Sequence, residues 1–178
     1  MVCIISLCKH RLHEEEFVRP VAEIAEEFED VRIVRKANVS GEKVIICGTA
    51  LKDFEYLNRD YSWVLKARLI LGICAGYQVL ANLLSASLSK IERIGVHKVK
   101  CVEPDSVVGK EDFKAYFLHK LALKDTSFNR SVVQRLAVCN NEIAAFKAGK
   151  IYGLSFHPEV LNPDIIERFL TFETLENL

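Results

Sequence analysis

A cysteine stands where a predicted strand runs into a predicted helix. Cys74 lies in the sequence GICAGYQ, with Gly72 two residues before it and Gly76 two residues after it. Small residues at those positions let a chain turn sharply and hold a side chain clear of a sheet. The N–H groups that open a helix are unpaired and partly positive, which favours a thiolate. The pattern predicts a cysteine nucleophile, with the Ala75 N–H available to an oxyanion; a buried packing cysteine is the alternative.

A histidine and a glutamate further along the chain supply the other groups that cysteine catalysis needs. His157 and Glu159 follow a strand-like run in GLSFHPEV and are separated by Pro158. In an extended or turning segment, two such side chains can point the same way, and the proline keeps His157 out of helical geometry. A cysteine nucleophile requires a base beside it and a third group that orients the base. The sequence therefore predicts Cys74 as nucleophile, His157 as general base and acid, and Glu159 as its orienting carboxylate.

These side chains need a sheet that brings distant segments together at one edge. Apolar runs and alternating patterns predict strands at residues 2–7, 31–35, 43–47 and 68–73. Helices are expected at residues 17–28, 51–61 and 75–84. Strands that alternate with helices in this way predict a parallel sheet covered by helices on both faces.

The second half of the chain has a different pattern, with short strand-like runs and few helices between them. The runs lie at residues 96–102, 115–118, 135–138, 142–146 and 151–154, and a last helix is expected at 163–172. The predicted fold class is therefore α/β, with three layers, a mostly parallel central sheet and a C-terminal antiparallel extension, in a flavodoxin-like arrangement. No linker or repeat divides the chain, so residues 1–178 are expected to form a single domain.

The composition excludes several classes of protein. Of the 178 residues, 50% are hydrophobic and 27% are charged, which excludes bulk disorder. Lys and Arg together number 24, as do Asp and Glu, so there is no basic footprint for nucleic acid. We recognise no targeting or membrane-spanning segment. Six cysteines without a CxxC pair predict free thiols in a reducing cytoplasm and no metal site. We expect a cytoplasmic protein that binds neither nucleic acid nor a membrane.

Together the two motifs resemble those of the class I glutamine amidotransferases, the family with a Cys-His-Glu triad. GICAGYQ is similar to the family's nucleophile elbow, and YGLSFHPEV is similar to its His-Pro-Glu signature. The segment KVIICGT falls where the family has its oxyanion loop. The resemblance extends over most of the chain, and it implies the same fold that the strand and helix pattern predicts.

The resemblance also implies roles for residues around the triad. Gly48 and Ala75 are expected to offer backbone N–H groups to the oxyanion. Gln78, on the helix after the nucleophile, is expected to line the glutamine pocket. Leu118 and His119 fall in YFLH, where the family has a strand whose backbone helps to hold glutamine.

Four residues, two of them in the oxyanion loop, depart from the family pattern without removing a catalytic side chain. The oxyanion loop usually carries two glycines and a proline, whereas here Gly48 is followed by Thr49 and Ala50. Because non-glycine residues have less backbone freedom, we expect this loop to rearrange before it can act. Ser155 stands where the family usually has Gln, and Tyr77 where it often has His or Met.

The reaction implied by the resemblance is hydrolysis of the side-chain amide of L-glutamine through a γ-glutamyl thioester on Cys74, without a cofactor. The ammonia is expected to pass to a partner synthase or synthetase subunit. The glutaminase subunits of GMP synthase and anthranilate synthase are the nearest comparisons, and the former is slightly favoured. Two alternatives stay open: a stand-alone γ-glutamyl peptide hydrolase, and a non-catalytic regulatory subunit with an altered oxyanion loop.

Overall fold

Nine strands form one mixed sheet in the computed structural model, which describes residues 1–125 and 133–172. The strands are β1 (Val2–Ile5), β2 (Val31–Val34), β3 (Lys43–Ile46), β4 (Leu69–Ile73), β5 (Leu88–Cys101), β6 (Phe113–Leu123), β7 (Gln134–Cys139), β8 (Glu142–Ala148) and β9 (Ile151–Leu154). The helices are α1 (Arg11–Phe17), α2 (Arg19–Glu26), α3 (Ala75–Leu83), α4 (Pro158–Leu161) and α5 (Pro163–Thr171). None of the helices in these ranges is both long and apolar enough to cross a membrane.

The sheet has a parallel half and an antiparallel half. Its strand order is β2-β1-β3-β4-β9-β8-β7-β5-β6, and the pairs from β2 to β9 are parallel. The pairs from β9 to β6 are antiparallel. The predicted α/β fold, with a parallel part of the sheet and an antiparallel extension, is therefore confirmed, and the extension is as large as the parallel part. Because β3, β4 and β9 are neighbours and run the same way, the segments that follow them emerge together at one edge.

Two apolar layers cover the sheet, as the alternation within its buried strands requires. In β1, Val2 and Ile4 pack into the layer that contains α2 and α5, whereas Cys3 and Ile5 face the layer that contains α3. All four residues are fully buried, which explains why this strand is apolar on both faces. The result is the three-layer arrangement expected from the sequence.

The predicted helix over residues 51–61 is wrong. The structure has a loop there, followed by a 3₁₀ turn at Glu55–Asn58 and a second at Ser62–Lys66. Asp53 Oδ1 accepts the N–H of Glu55, and Asp60 Oδ1 accepts the N–H of Ser62. These local bonds give the backbone partners outside an α-helix, so they compete with the helical pattern.

The other predicted elements are present with shifted ends. The segment 17–28 holds α2, and α1 ends just before it because Val18 and Pro20 break the helix between them. Strands β5 and β6 are longer than predicted and form a hairpin at the edge of the sheet. The short helix α4, directly after His157, is absent from the sequence prediction.

Candidate active site

Cys74 occupies a strained turn between β4 and α3. Its φ of 52° and ψ of −101° put a non-glycine residue in a region that side chains rarely adopt. A Cβ atom at Gly76 would lie 2.1 Å from the carbonyl oxygen of Ile46, and one at Gly72 would lie 2.6 Å from the Gly76 backbone. The two glycines therefore permit the close packing that the turn requires. The Cys74 N–H donates to the Leu154 carbonyl at 2.8 Å, which ties the turn to β9.

His157 and Glu159 form a buried pair shortly after the end of β9. His157 Nδ1 lies 2.7 Å from Glu159 Oε1, and their side chains are only 2% and 4% exposed. The His157 N–H donates to the Tyr116 carbonyl at 2.8 Å, and Pro158 begins α4. Because a carboxylate can only accept, Nδ1 carries a proton and the Nε2 side of the ring is left for chemistry.

The loop after β3 brings the third part of the site against this pair. A Cβ atom at Gly48 would lie 2.8 Å from His157 Cε1 and 3.5 Å from Cys74 Cβ. Gly48 thus lies against both Cys74 and His157, which are far apart in the chain. The strand register explains this meeting, because β3 and β9 both flank β4 in parallel.

The thiol of Cys74 makes its hydrogen bond to a backbone carbonyl rather than to the imidazole. Its Sγ lies 3.3 Å from the Leu118 carbonyl oxygen, on β6. Among the described residues, His157 Nε2 is buried without a hydrogen-bond partner of good geometry. The ring nitrogen that faces away from Glu159 is thus unpaired within the described ranges, as a general base and acid requires.

The charge on the imidazole is stabilised by its neighbours. Burial by itself lowers the pKa of His157, but interactions with Cys74 and Glu159 outweigh burial and hold that pKa well above its ordinary value. The site therefore favours a protonated His157 next to the Cys74 side chain. An imidazolium beside a thiolate is the reactive state of a cysteine nucleophile that works with a histidine.

The predicted oxyanion groups lie at the site. Ala75 is the first residue of α3, so its N–H is one of the unpaired donors at that helix end. Gly48 touches both His157 and Cys74, as described above. Neither Thr49 nor Ala50 has a positive φ, so in this conformation the loop carries no strain from its lack of glycines.

A narrow cleft beside Cys74 contains all three predicted substrate contacts. It lies between the loop after β3, the start of α3 and strand β6, and its walls include Gln78, Leu118 and His119. The cavity volume is about 10 Å³, which is roughly the space that one water molecule needs. Larger depressions elsewhere on the surface contain none of the triad residues. The described conformation is therefore closed to a molecule of glutamine size.

Two of these predicted contacts have their polar atoms occupied within the protein. The amide of Gln78 accepts from Tyr56 Oη and donates to the Leu121 carbonyl at 2.9 Å. The ring of His119 has Nδ1 2.9 Å from the Ser155 carbonyl and Nε2 3.3 Å from a buried glutamate carboxylate. The polar groups of Gln78 and His119 are therefore committed to bonds within the protein, and these two side chains shape the cleft.

Comparison with known proteins gives a consistent result. The family model described as glutamine amidotransferase class-I matches residues 10–171. The chain is 30% identical over 95 residues to the glutamine-hydrolyzing GMP synthase subunit of Methanococcus aeolicus, an alignment that covers 51% of this chain and 50% of that protein. It is 28% identical over 117 residues to the protein of the same name from Methanocaldococcus jannaschii, covering 63% and 62%. The chain thus spans about half to three-fifths of the curated relatives it matches.

Solved structures have the same fold. A protein of Thermoplasma acidophilum, described as a candidate GMP synthase subunit, superimposes with a TM-score of 0.78 over 95% of this chain and 91% of its own, at 20% identity. PurLQS of Thermotoga maritima superimposes with a TM-score of 0.71 over 95% and 97%, at 14% identity. At these identities the superpositions establish the architecture alone.

Proposed function

This chain belongs to the class I glutamine amidotransferase family, and from that premise we propose that it hydrolyses the side-chain amide of L-glutamine and supplies the ammonia to a synthase partner. The single observation that carries the proposal is the meeting of Cys74, His157 and Glu159 at one edge of the sheet, with the imidazole bonded to the carboxylate at 2.7 Å. The cleft beside the thiol, between the loop after β3, α3 and β6, is where the amide side chain would bind once that loop opens.

The first half of the proposed reaction forms a thioester. The Cys74 thiolate attacks the amide carbon of glutamine, and the tetrahedral oxyanion is held by the N–H groups of Gly48 and Ala75. Removal of one such donor typically costs about 2.7–4 kcal/mol in the transition state. The His157 imidazolium then gives its Nε2 proton to the departing nitrogen, the C–N bond breaks, and ammonia leaves.

The second half releases glutamate. Neutral His157 takes a proton from a water molecule, and the resulting hydroxide attacks the γ-glutamyl thioester. When this second tetrahedral intermediate collapses, the C–S bond breaks and the Cys74 thiolate is restored beside the imidazolium. Glu159 keeps the ring in one orientation and stabilises its positive charge in both halves.

Exposed apolar side chains around the site support a partner protein. Ile94 and Val96 on β5 are 50% and 53% exposed, and Val160 and Leu161 on α4 are 51% and 46% exposed. The cross-strand neighbours of Ile94 and Val96 are Leu118 and Tyr116, which contact Cys74 and His157 through their carbonyls. Apolar surface of this kind next to a site is typical of protein–protein contact.

The matched relatives are named as a subunit of GMP synthase, so we propose a GMP synthase-type partner.

The proposal is tested by glutamate release from glutamine. Wild type and Cys74→Ala are assayed alone and with the GMP synthase partner subunit of the same organism. We expect release by wild type to rise when the partner is present, and Cys74→Ala to be inactive in both cases. Equal release by both proteins would exclude Cys74 as the nucleophile.

Two further measurements separate the alternatives. Faster turnover of γ-glutamyl peptides than of free glutamine would identify a peptide hydrolase. Absence of both glutamate release and Cys74 labelling by acivicin, an electrophilic glutamine analogue, with the partner present would identify a non-catalytic subunit.

A further inference from the structure

A second histidine–glutamate pair lies buried behind the cleft, outside the triad. Glu142 opens β8, and its side chain is fully buried. Its Oε2 accepts from Arg93 Nε at 2.8 Å and lies 3.3 Å from His119 Nε2, while its Oε1 accepts from Ser155 Oγ at 2.9 Å. The side chains of Arg93 and His119 are 9% and 1% exposed. One carboxylate thus joins β5, β6, β8 and the segment after β9.

The residues that Glu142 holds are direct neighbours of the reacting groups. His119 follows Leu118, whose carbonyl accepts the Cys74 thiol. Ser155 stands two residues before His157. The His119 ring also reaches the Ser155 carbonyl at 2.9 Å, so β6 and the catalytic segment are joined there as well as at the Tyr116–His157 backbone bond. Movement of Glu142 would therefore change the spacing between the two walls of the site.

The hydrogen bonds to Glu142 stabilise its buried carboxylate. Burial by itself raises the pKa of Glu142, but interactions with His119 and Arg93 outweigh burial and lower that pKa. The Ser155 hydroxyl donates a further hydrogen bond to the other carboxylate oxygen. The cluster is held together by charge as well as by shape.

We propose that Glu142 is a positioning residue for the glutaminase reaction, holding the Leu118 carbonyl and the His157 segment at the spacing that Cys74 requires. This inference rests on the proposed function. Glu142 touches neither the substrate nor the reacting atoms, and it acts through His119 and Ser155. A displacement of about 1 Å in a reacting group can cost roughly a hundredfold in rate, so a cluster that fixes both walls has a large effect on turnover.

The test uses Glu142→Gln, which keeps the shape of the side chain and removes its charge. We expect kcat for glutamate release to fall roughly tenfold to a hundredfold. KM should change by less than about threefold, since the part of the cleft formed by the loop after β3 and by Gln78 makes no bond to Glu142. Glu111→Gln, at an exposed position outside the site, is the matched control and should leave both constants unchanged. Ser155→Ala removes one of the hydrogen bonds to Glu142. It should also lower kcat, but by a smaller factor than Glu142→Gln does.

Two readouts that need no turnover distinguish failure of this inference from failure of the proposed function. Amide hydrogen exchange over β6 and residues 154–157 should quicken in Glu142→Gln, because the bonds that join these two walls through the carboxylate are weakened. Acivicin should label Cys74 more slowly in Glu142→Gln at the same fraction folded. If wild type releases no glutamate but both changes occur, the proposed function fails and the positioning role stands.

An unchanged kcat and labelling rate in Glu142→Gln, with only thermal stability reduced, would overturn the inference and leave a structural cluster. If that variant does not fold, Ser155→Ala decides by the same criteria.

Discussion

In the proposed mechanism, Glu159 raises the pH at which the His157 imidazole loses its proton. The pKa of His157 is raised despite burial because Cys74 and Glu159 stabilise the imidazolium. Glu159→Gln removes one of these charges, so the pKa of His157 should fall. The imidazolium that protonates the leaving ammonia is then lost at lower pH, and the alkaline limb of the kcat profile should move to lower pH. We expect kcat to fall by roughly 10²- to 10⁴-fold.

The thermal stability of wild type and of Glu159→Gln provides a check that does not depend on turnover. Because the pKa of His157 is raised in the folded state, its imidazolium stabilises the fold fully below the pKa of unfolded histidine, about 6.5. This contribution is lost as the pH rises through the pKa that His157 has in the folded protein. The loss of thermal stability in Glu159→Gln should therefore be larger at about pH 6 than in alkaline solution. An NMR titration of the His157 ring that gives the same pKa in both proteins would contradict the assignment.

Gly48 is a position where a single methyl group should separate activity from folding. A Cβ there would meet His157 Cε1 at 2.8 Å, so Gly48→Ala must displace the imidazole or the loop. We expect kcat to fall by more than about a hundredfold, with a loss of about 1–3 kcal/mol in the free energy of unfolding. Gly149→Ala is the control, because its φ of +57° is strained for alanine but nothing lies within 4 Å of the new Cβ. Gly149→Ala should lower stability while leaving glutamate release unchanged. If Gly48→Ala lowers stability but leaves kcat unchanged, a contact role for Gly48 is excluded.

At the residue scale, the sequence predicts candidate catalytic residues where they lie in short motifs. It does not predict residue pairs that only the packing of distant strands brings together. Cys74 lies between two glycines, and His157 and Glu159 are two residues apart, so local spacing was enough to select them. Glu142 and Arg93 are 49 residues apart in the sequence. The residues around each of them indicate only an ordinary strand position. Only the register of the antiparallel half brings them together.

Among the elements, the loop after β3 controls access to the thiol. Thr49 Oγ1 donates to Asp53 Oδ2 at 3.3 Å, and Asp53 Oδ1 accepts the Glu55 N–H at 3.3 Å. These bonds hold the loop over a cleft too small for glutamine. On the proposed function, this loop has to open before glutamine reaches Cys74, and its internal bonds oppose that step.

Asp53→Ala should accordingly make the thiol more accessible. We expect acivicin to label Cys74 several-fold faster, because loss of two hydrogen bonds of about 1 kcal/mol each favours the open loop. Amide hydrogen exchange over residues 49–56 should quicken as well. Asp60→Ala removes the same kind of bond, to the Ser62 N–H at 2.8 Å, in the next turn and should not change labelling. Equal or slower labelling in Asp53→Ala would show that the loop does not limit access.

The same segment shows where element prediction fails. Apolar residues at suitable spacing suggested a helix over 51–61, but Asp53 and Asp60 bond the backbone two residues ahead and produce 3₁₀ turns instead. The parallel strands were predictable because buried runs have no comparable local competitor. The lengths of β5 and β6 depend on their pairing with each other, which sequence patterns describe poorly.

At the scale of the whole molecule, the last strand pair of the sheet lies beside the candidate active site and carries an exposed apolar surface. The β5–β6 hairpin ends the sheet, and its outer face carries exposed Ile94 and Val96 beside Lys98 and Lys114, which pair across the strands. These two lysines are like charges directly opposite each other. A synthase partner that covers this face should therefore present an acidic rim around an apolar centre.

Val96→Asp tests this docking face, since an acidic residue in its centre opposes both the apolar contact and an acidic partner. We expect the Kd for the GMP synthase partner subunit to rise by at least about tenfold, and stimulation of glutamate release to be lost at limiting partner. Labelling of Cys74 by acivicin without partner should be unchanged, because Val96 touches no reacting group. Ile33→Asp is the matched control, as Ile33 is 44% exposed on β2 at the opposite edge. A partner that binds Val96→Asp normally and fails to bind Ile33→Asp would move the interface to the other edge, where released ammonia would have to cross open solvent to reach it.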